Sequence, residues 1–121
     1  MAYDKNNIFA KILRGEVPCK AIDEDEYTLS FADINPQAPV HILVIPKGAY
    51  TNWSDFATHA SEAETLAFFR AISRVAELTG IGKTGYRVIS NVGPDSHQEV
   101  PHLHVHVLGG TPIGPMVVRK V

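Results

Sequence analysis

The stretch PHLHVHVLGG, residues 101–110, places a histidine at every second position from 102 to 106, and the fold can be worked out from it. Successive side chains of a β-strand point to opposite faces, so His102, His104 and His106 would share one face and the apolar residues between them the other. A helix would not align them, because residues two apart on a helix do not face each other. The pattern therefore predicts a strand that packs its apolar face on a core and presents three imidazoles on the other face.

Three interpretations of such a row of imidazoles are open. It could be a polar outer face that happens to use histidine. It could bind zinc, although strand histidines would need further ligands, for which His41, His97, Cys19 or carboxylates are available. It could also perform nucleophilic catalysis, in which one neutral imidazole attacks an electrophilic centre while a neighbouring imidazolium protonates the leaving group. Only this last interpretation uses all three histidines of the row.

Overall composition narrows the class of protein. A chain of 121 residues with 45% hydrophobic and 20% charged residues fits one globular domain, residues 1–121. A net charge of -2 disfavours a general binder of nucleic acid or membrane surfaces, but it leaves small phosphate-bearing ligands open. The single cysteine excludes an internal disulfide, and the N-terminus shows no apolar signal core and no arginine-rich presequence. We therefore expect a cytoplasmic protein.

Local signals predict one short helix and four further strands. The helix spans about residues 8–14, with Asn7 as its N-cap and Gly15 as its stop. Runs of apolar and β-branched residues between turn formers predict the strands. These strands are expected at residues 20–24, 27–34, 41–45 and 85–92. Residues 52–56 are expected to form a turn.

A long helix is predicted over about residues 62–79, because Ser61 and Glu64 form a capping box and Gly80 follows as a stop. Placed at about 100° steps, its apolar side chains cover about 200° of the circumference. They are Ala67, Leu78, Ala71, Val75, Phe68, Ile72, Ala76 and Phe69. A stripe of about 100° suffices to cover one sheet. A second copy of the same helix would bury the excess, so we expect a homodimer.

The histidine row carries a resemblance to a known family. Residues 102–108 follow the pattern His-apolar-His-apolar-His-apolar-apolar, and so resemble the histidine triad nucleotide hydrolases and transferases. Residues 8–18 are similar to the opening segment of that family, 31–39 to its nucleoside-contacting segment, and 41–47 to the strand that follows. The resemblance extends over about residues 7 to 110. It is strongest to the Hint branch, whose members hydrolyse nucleoside phosphoramidates.

This resemblance implies an α+β fold, with an antiparallel sheet of about five strands, two helices, and a sheet continued across a homodimer. The implied reaction is hydrolysis at the α-phosphorus of a purine nucleoside phosphoramidate. His104 would attack to give a nucleotidyl-histidine, and His106 would protonate the leaving amine and later assist the water. No metal ion or other cofactor is expected, and neither is a nucleic-acid or membrane partner. The alternatives are the dinucleoside polyphosphate hydrolases of the same family and a zinc-binding module.

The site residues are likewise implied by the resemblance. The expected catalytic residues are His104, His106, His102 and His41. The expected nucleotide-binding residues are Phe31, Asp33, Ile34, Asn91, Gln98, Glu99 and His97. We expect His41 to hydrogen-bond His102 and so to fix the tautomers along the row. Asp33 would accept hydrogen bonds from both ribose hydroxyls, although by itself it also fits a turn former ahead of Asn35.

Three positions depart from the Hint pattern. His97 stands where Hint proteins commonly carry glycine, Glu99 where animal members carry serine, and Ala49 where many members carry another histidine. If His97 turned inward it would add a titrating cation near the bound phosphate. The tail, residues 111–121, resembles the variable end of the family, which reaches toward the leaving-group pocket.

Overall fold

A computed structural model describes residues 2–117 and shows a single antiparallel sheet with helices on both faces. The strands are β1 (Ala21–Glu24), β2 (Thr28–Ala32), β3 (Val40–Pro46), β4 (Tyr86–Ile89) and β5 (Val105–Gly109). The helices are α1 (Ile8–Leu13), α2 (Trp53–His59) and α3 (Glu62–Leu78). Two single turns of 3-10 helix cover Ile81–Lys83 and Pro94–Ser96. The strand order is β1-β2-β3-β5-β4, with every neighbouring pair antiparallel, so the predicted α+β fold is confirmed.

The central strand β3 is buried on both faces, which explains its nearly continuous apolar run. Because its side chains alternate, Ile42 and Val44 pack toward α3, in one core with Phe68 and Val75 among others. On the opposite face a second core packs against α1. It consists of Phe9, Leu29, Phe31, Leu43 and Ile45. The sheet therefore separates a large core under α3 from a smaller one under α1, and the histidines lie on the α1 side.

The predicted helix caps are present. Ser61 Oγ accepts a hydrogen bond from the Glu64 backbone N–H at 3.1 Å, and Glu64 Oε1 accepts one from the Ser61 backbone N–H at 3.0 Å. Gly80, with a φ of 80°, ends α3 in the left-handed region that favours glycine. At α1, Asn7 Oδ1 accepts from the Ala10 backbone N–H at 2.9 Å. These caps satisfy backbone donors that a helix end leaves unpaired.

Two local predictions are wrong. Residues 52–56 form not a turn but the beginning of α2, which Asn52 caps by accepting from the Asp55 backbone N–H at 2.9 Å. Only Phe56 of this helix is buried, so the helix shows no apolar stripe in sequence. The histidine strand also begins later than expected, at Val105. The Leu103 backbone N–H donates at 2.8 Å to the Tyr50 carbonyl instead of to the sheet, so the extended chain before Val105 lies outside the ladder.

The apolar arc of α3 is only partly covered. Phe68, Ala71, Ile72, Val75 and Ala76 are buried, but other apolar side chains nearby remain open to solvent. These are Trp53, Leu66, Phe69, Leu78, Tyr86 and Val88, with exposed fractions between 40% and 59%. The edge strand β4 contributes the last two of them.

Two further observations concern the ends and the exterior of the chain. Within residues 2–117 no helix combines the length and the apolar character that crossing a membrane requires. Arg87 on β4 donates hydrogen bonds to the carbonyls of Gly114 and Pro115, at 2.6 and 3.2 Å, and so holds the beginning of the tail beside the sheet. Residues 118–121, the end of the predicted variable segment, lie outside the described residues.

Candidate active site

An open cavity of about 560 Å³ lies between α1, the end of β2 and the chain that leads into β5. One part of its wall is apolar. It is formed by Ile8, Phe9, Ile12, Val17, Pro18, Phe31, Ala32, Leu43 and Val100. The other part carries the polar and titratable groups, most of them predicted from the sequence. These are Asp33, Asn35, Gln37, Asn91, His97, Glu99, His104 and His106. Such a cavity can hold a flat apolar ring at one end and a polar reacting group at the other.

Four buried or partly buried imidazoles, His41, His102, His104 and His106, lie in or behind the wall of the cavity. Burial lowers the pKa of His41, His102 and His104 from the ordinary histidine value. The pKa of His106 falls to about 4, because burial is reinforced by the neighbouring His104 and His41. All four rings are therefore neutral near pH 7. In a neutral ring one nitrogen carries a proton and the other a lone pair, and the hydrogen-bond partners decide which is which.

His104 presents a lone pair to the cavity. Its Nδ1 lies 2.8 Å from the backbone carbonyl oxygen of His102. A carbonyl can only accept, so Nδ1 carries the proton and Nε2 keeps the lone pair. The ring is 7% exposed and packs against the edge of Phe9, with ring centres 5.0 Å apart. His104 is thus held in the tautomer that a nucleophile requires.

His106 is held in the opposite tautomer by a chain of two hydrogen bonds. The Gln37 backbone N–H donates to His41 Nδ1 at 3.1 Å, so the proton of His41 is on Nε2. That Nε2 lies 2.9 Å from His106 Nδ1 and donates to it. His106 therefore carries its own proton on Nε2. The rings of His104 and His106 are 5.1 Å apart, which places the lone pair of His104 Nε2 on a ring next to the one that carries a proton on Nε2.

The prediction that His41 bonds to His102 is wrong, and the sheet register explains why. In the antiparallel pair of β3 and β5, Leu43 is opposite His106 and His41 is opposite Leu108. His41 is therefore a diagonal neighbour of His106 on the same face. His102 lies beyond the other end of β3, several residues away at about 3.3 Å per residue. The antiparallel direction alone separates the two rings.

His102 lies behind the reacting pair and does not line the cavity. It is fully buried, and its Nε2 donates to the Pro46 carbonyl at 2.9 Å. Its Nδ1 accepts from the Tyr3 hydroxyl at 2.5 Å, and that hydroxyl accepts in turn from Asn7 Nδ2 at 2.9 Å. Sequence reasoning missed Tyr3, because no periodicity or motif connects it to residue 102. His102 serves mainly as a rigid support whose carbonyl holds His104.

Asp33 is a turn former that also borders the cavity. Its Oδ1 accepts from the Asn35 backbone N–H at 2.8 Å, as a turn former does. Its Oδ2 is 3.4 Å from His41 Nε2, and the side chain, 18% exposed, borders the cavity. Phe31, buried, and Ile34, almost fully exposed, line the same end of the cavity. The structure therefore brings these three predicted residues together.

The predicted nucleotide-binding residues between β4 and β5 do not all reach the cavity. Asn91, His97 and Glu99 border the cavity, but Gln98 does not. Its side-chain amide is used within the protein: Oε1 accepts from the Gly93 backbone N–H at 3.0 Å, and Nε2 donates to the carbonyls of Thr51 and Val100. Gln98 thus fastens the loop rather than facing a ligand.

His97 occupies a backbone conformation that explains why glycine is common at this position in the Hint pattern. Its φ is +60°, the left-handed region, and it is the one non-glycine residue among residues 2–117 with a positive φ. The side chain does not turn inward. It is 85% exposed at the mouth of the cavity, and its Nε2 is 2.9 Å from Glu99 Oε1. Ala49, the third departure, is exposed and does not border the cavity.

A metal ion is the remaining possibility at these residues. Asp33, His41 and His106 offer ligand atoms that all lie within 4.8 Å of one another. However, both nitrogens of His41 are engaged, one by the Gln37 N–H and the other by His106. A cation would have to break this pair of hydrogen bonds to gain its ligands. The arrangement fits the proton chain better than a metal site.

The chain is similar over nearly its whole length to known proteins of one family. The chain matches the HIT domain over residues 14–113. It is 57% identical over 117 residues to a HIT-like protein of Azospirillum brasilense, covering 97% of this chain and 96% of that protein. It is 39% identical over 116 residues to the purine nucleoside phosphoramidase of Escherichia coli (strain K12), covering 96% and 97% of the two chains. A solved HIT family hydrolase from Clostridium thermocellum superposes with a TM-score of 0.83 at 39% identity, covering 95% of this chain and 99% of that one. The chain therefore belongs to the HIT domain family.

Proposed function

We propose that this protein is a hydrolase that cleaves the P–N bond of purine nucleoside 5'-phosphoramidates through a nucleotidyl intermediate on His104. The observation that carries the proposal is the hydrogen bond from His104 Nδ1 to the His102 carbonyl, which leaves the Nε2 lone pair available at the cavity. The similarity to a purine nucleoside phosphoramidase supports the substrate class. The apolar wall would take the purine, and Asp33 would bind the ribose.

In the proposed reaction, each step is assigned to a residue of the cavity. The lone pair of His104 Nε2 forms a bond to phosphorus, the P–N bond of the substrate breaks, and the amine leaves with a proton from His106 Nε2. A water oxygen then forms a bond to phosphorus, the bond to His104 breaks, and the water proton passes to His106. The bound phosphoryl group is anionic, so it raises the pKa of the His41 and His106 pair above its value in the free protein. The extra proton of the pair would be on His41 Nδ1, in place of the hydrogen bond from the Gln37 N–H. As His106 Nε2 protonates the amine, the Nε2 proton of His41 passes to His106 Nδ1, so both rings end neutral.

A substrate panel tests this proposal. Adenosine and guanosine 5'-phosphoramidates should be hydrolysed faster, by kcat/KM, than diadenosine polyphosphates. A rapid-quench digest should also show one nucleotidyl group on the peptide that contains His104. Faster turnover of the diadenosine polyphosphates would instead assign the protein to the polyphosphate-hydrolysing branch. Stoichiometric zinc in protein prepared without added zinc, together with no turnover of either class, would favour a zinc-binding module.

Asp33 should serve ribose binding more than chemistry. Asp33→Asn keeps an oxygen that can accept from the Asn35 N–H, but it removes the charge at the cavity. We expect adenosine monophosphate to bind more weakly by about 1 to 3 kcal/mol, the cost of losing hydrogen bonds to a charged acceptor. Calorimetry should show a much smaller loss for the 2',3'-dideoxy analogue. Equal losses for the two ligands would reduce Asp33 to a turn residue.

We also propose that the protein is a homodimer in which β4 and α3 meet their copies. Val88 is exposed on the edge strand β4, and Phe69 and Leu78 are exposed on α3. Pairing of β4 with its copy would give hydrogen-bond partners to the backbone groups at the open edge of β4, and it would continue the sheet. Sedimentation should therefore show a dimer that Phe69→Glu weakens. Glu26→Lys, at an exposed turn beside the opposite sheet edge, is the matched control and should leave the mass unchanged.

A further inference from the structure

The cavity has an unusual charge distribution for a site that handles phosphate. Its lining, within residues 2–117, includes no lysine and no arginine, whereas it includes two carboxylates, Asp33 and Glu99. Phosphate-binding sites ordinarily use basic side chains, and a cavity lined by carboxylates without lysine or arginine disfavours additional negative charge. The phosphoryl group itself can be met by the imidazoles and by backbone N–H groups. The remaining charges must then act on another part of the substrate.

The two carboxylates approach the reacting histidines from different connections of the chain. Asp33 follows β2, whereas Glu99 belongs to the loop between β4 and β5. In the sheet, β2 is next to β3 and β4 is next to β5. The two connections therefore flank, from opposite sides, the pair of strands that carries His41 and His106. Both carboxylates nevertheless act on the same two rings. The negative charge of each favours the protonated form of His104 and of His106, and so partly offsets the lowering of their pKa by burial. If Asp33 takes the ribose, Glu99 is the carboxylate of the lining that is left to act on the departing group.

Glu99 is also held in place. Its Oε1 lies 2.9 Å from His97 Nε2, and the Gln98 side chain fastens the loop on both sides of this pair. The left-handed conformation of His97 allows the two side chains, only two residues apart, to meet at the mouth of the cavity. A carboxylate fixed at the mouth imposes a constant field on a departing group, although solvent weakens that field because Glu99 is well exposed.

We propose that Glu99 is a specificity-determining residue that selects leaving amines carrying a further positive charge and rejects leaving groups carrying a negative one. The inference rests on the proposed function, since it concerns the amine that departs from the same phosphorus. It assigns to this chain a substrate class narrower than phosphoramidates in general: nucleoside phosphoramidates of diamines or other cationic amines. Leaving groups that end in a carboxylate or a phosphate are the disfavoured class.

The test uses three adenosine 5'-phosphoramidates with leaving amines of similar length. One is made from 1,3-diaminopropane, one from n-butylamine and one from β-alanine, so that they differ mainly in charge. The readout is the ratio of kcat/KM for the diamine substrate to that for the β-alanine substrate, at pH 8 and low salt. Glu99→Gln removes the charge but keeps an oxygen that can accept from His97. This ratio should exceed one in the wild type and fall at least about fivefold in Glu99→Gln, the effect of one unit charge about 4 Å away in water.

Asp95→Asn is the matched control, because Asp95 is an exposed carboxylate of the same loop that does not border the cavity. It should keep the wild-type ratio, and added salt should reduce the ratio of the wild type toward that of Glu99→Gln. Equal ratios in the wild type and Glu99→Gln, with the n-butylamine substrate hydrolysed, would overturn this inference and leave the proposed function standing. If the wild type hydrolyses none of the three substrates, the proposed function fails and this inference fails with it.

Discussion

His104→Ala and His104→Asn should abolish turnover of adenosine 5'-phosphoramidate. The reason is that, among residues 2–117, only His104 combines a free Nε2 lone pair with a position at the cavity and a proton donor beside it. Binding of a nucleoside monophosphate should stay within about tenfold of the wild type, equivalent to about 1.4 kcal/mol, because the apolar wall and Asp33 remain. Steady-state kinetics and calorimetry on the same preparations measure the two quantities.

The control for this experiment is His59→Asn. His59 is an exposed histidine at the end of α2, bonded to Asp55 and remote from the cavity lining. It should keep wild-type turnover, which shows that the loss of a histidine as such is harmless. Substantial multiple turnover by either His104 variant would remove His104 from the nucleophile role, and loss of nucleotide binding in both would mean that the site itself had collapsed.

His41→Ala should lower kcat by at least about 100-fold, the lower end of what general acid catalysis contributes. His41 does not border the cavity, but its Nε2–H fixes the lone pair of His106 on Nδ1 and hence the proton of His106 on Nε2. Without that donor the His106 proton can move to the wrong nitrogen. KM should change little, because no substrate contact is lost. A loss in kcat with a nearly constant KM is the signature of a residue that positions the acid.

A buried histidine can also stabilise the fold, so a second variant is needed. His41→Asn retains a polar side chain at the same position, and free imidazole added to His41→Ala can occupy the space that the ring leaves. Partial recovery of kcat with imidazole, in protein that still binds adenosine monophosphate, supports the tautomer role. An unchanged kcat in both variants would show that the His106 proton is placed without His41.

Much of the fold is predictable from the sequence because its signals are local. The capping box of Ser61 and Glu64, the N-cap at Asn7 and the strict alternation around His104 each depend on residues a few positions apart. Such signals survive in any tertiary context that buries the apolar side. By contrast, α2 has only its cap at Asn52 and one buried side chain, Phe56. The sequence therefore shows no helical repeat of apolar residues there.

The sequence alone predicts the α+β class, the central apolar strand, the histidine row and most of the polar residues that border one cavity. Which nitrogen of each ring carries the proton depends instead on the tertiary structure. That assignment depends on partners far away in sequence: the register of β3 and β5 joins His41 to His106, and the N-terminal segment brings Tyr3 to His102. The difference has a physical reason. Alternation and capping act within a few residues, whereas a hydrogen bond between distant residues exists only once the sheet has set their distance and direction.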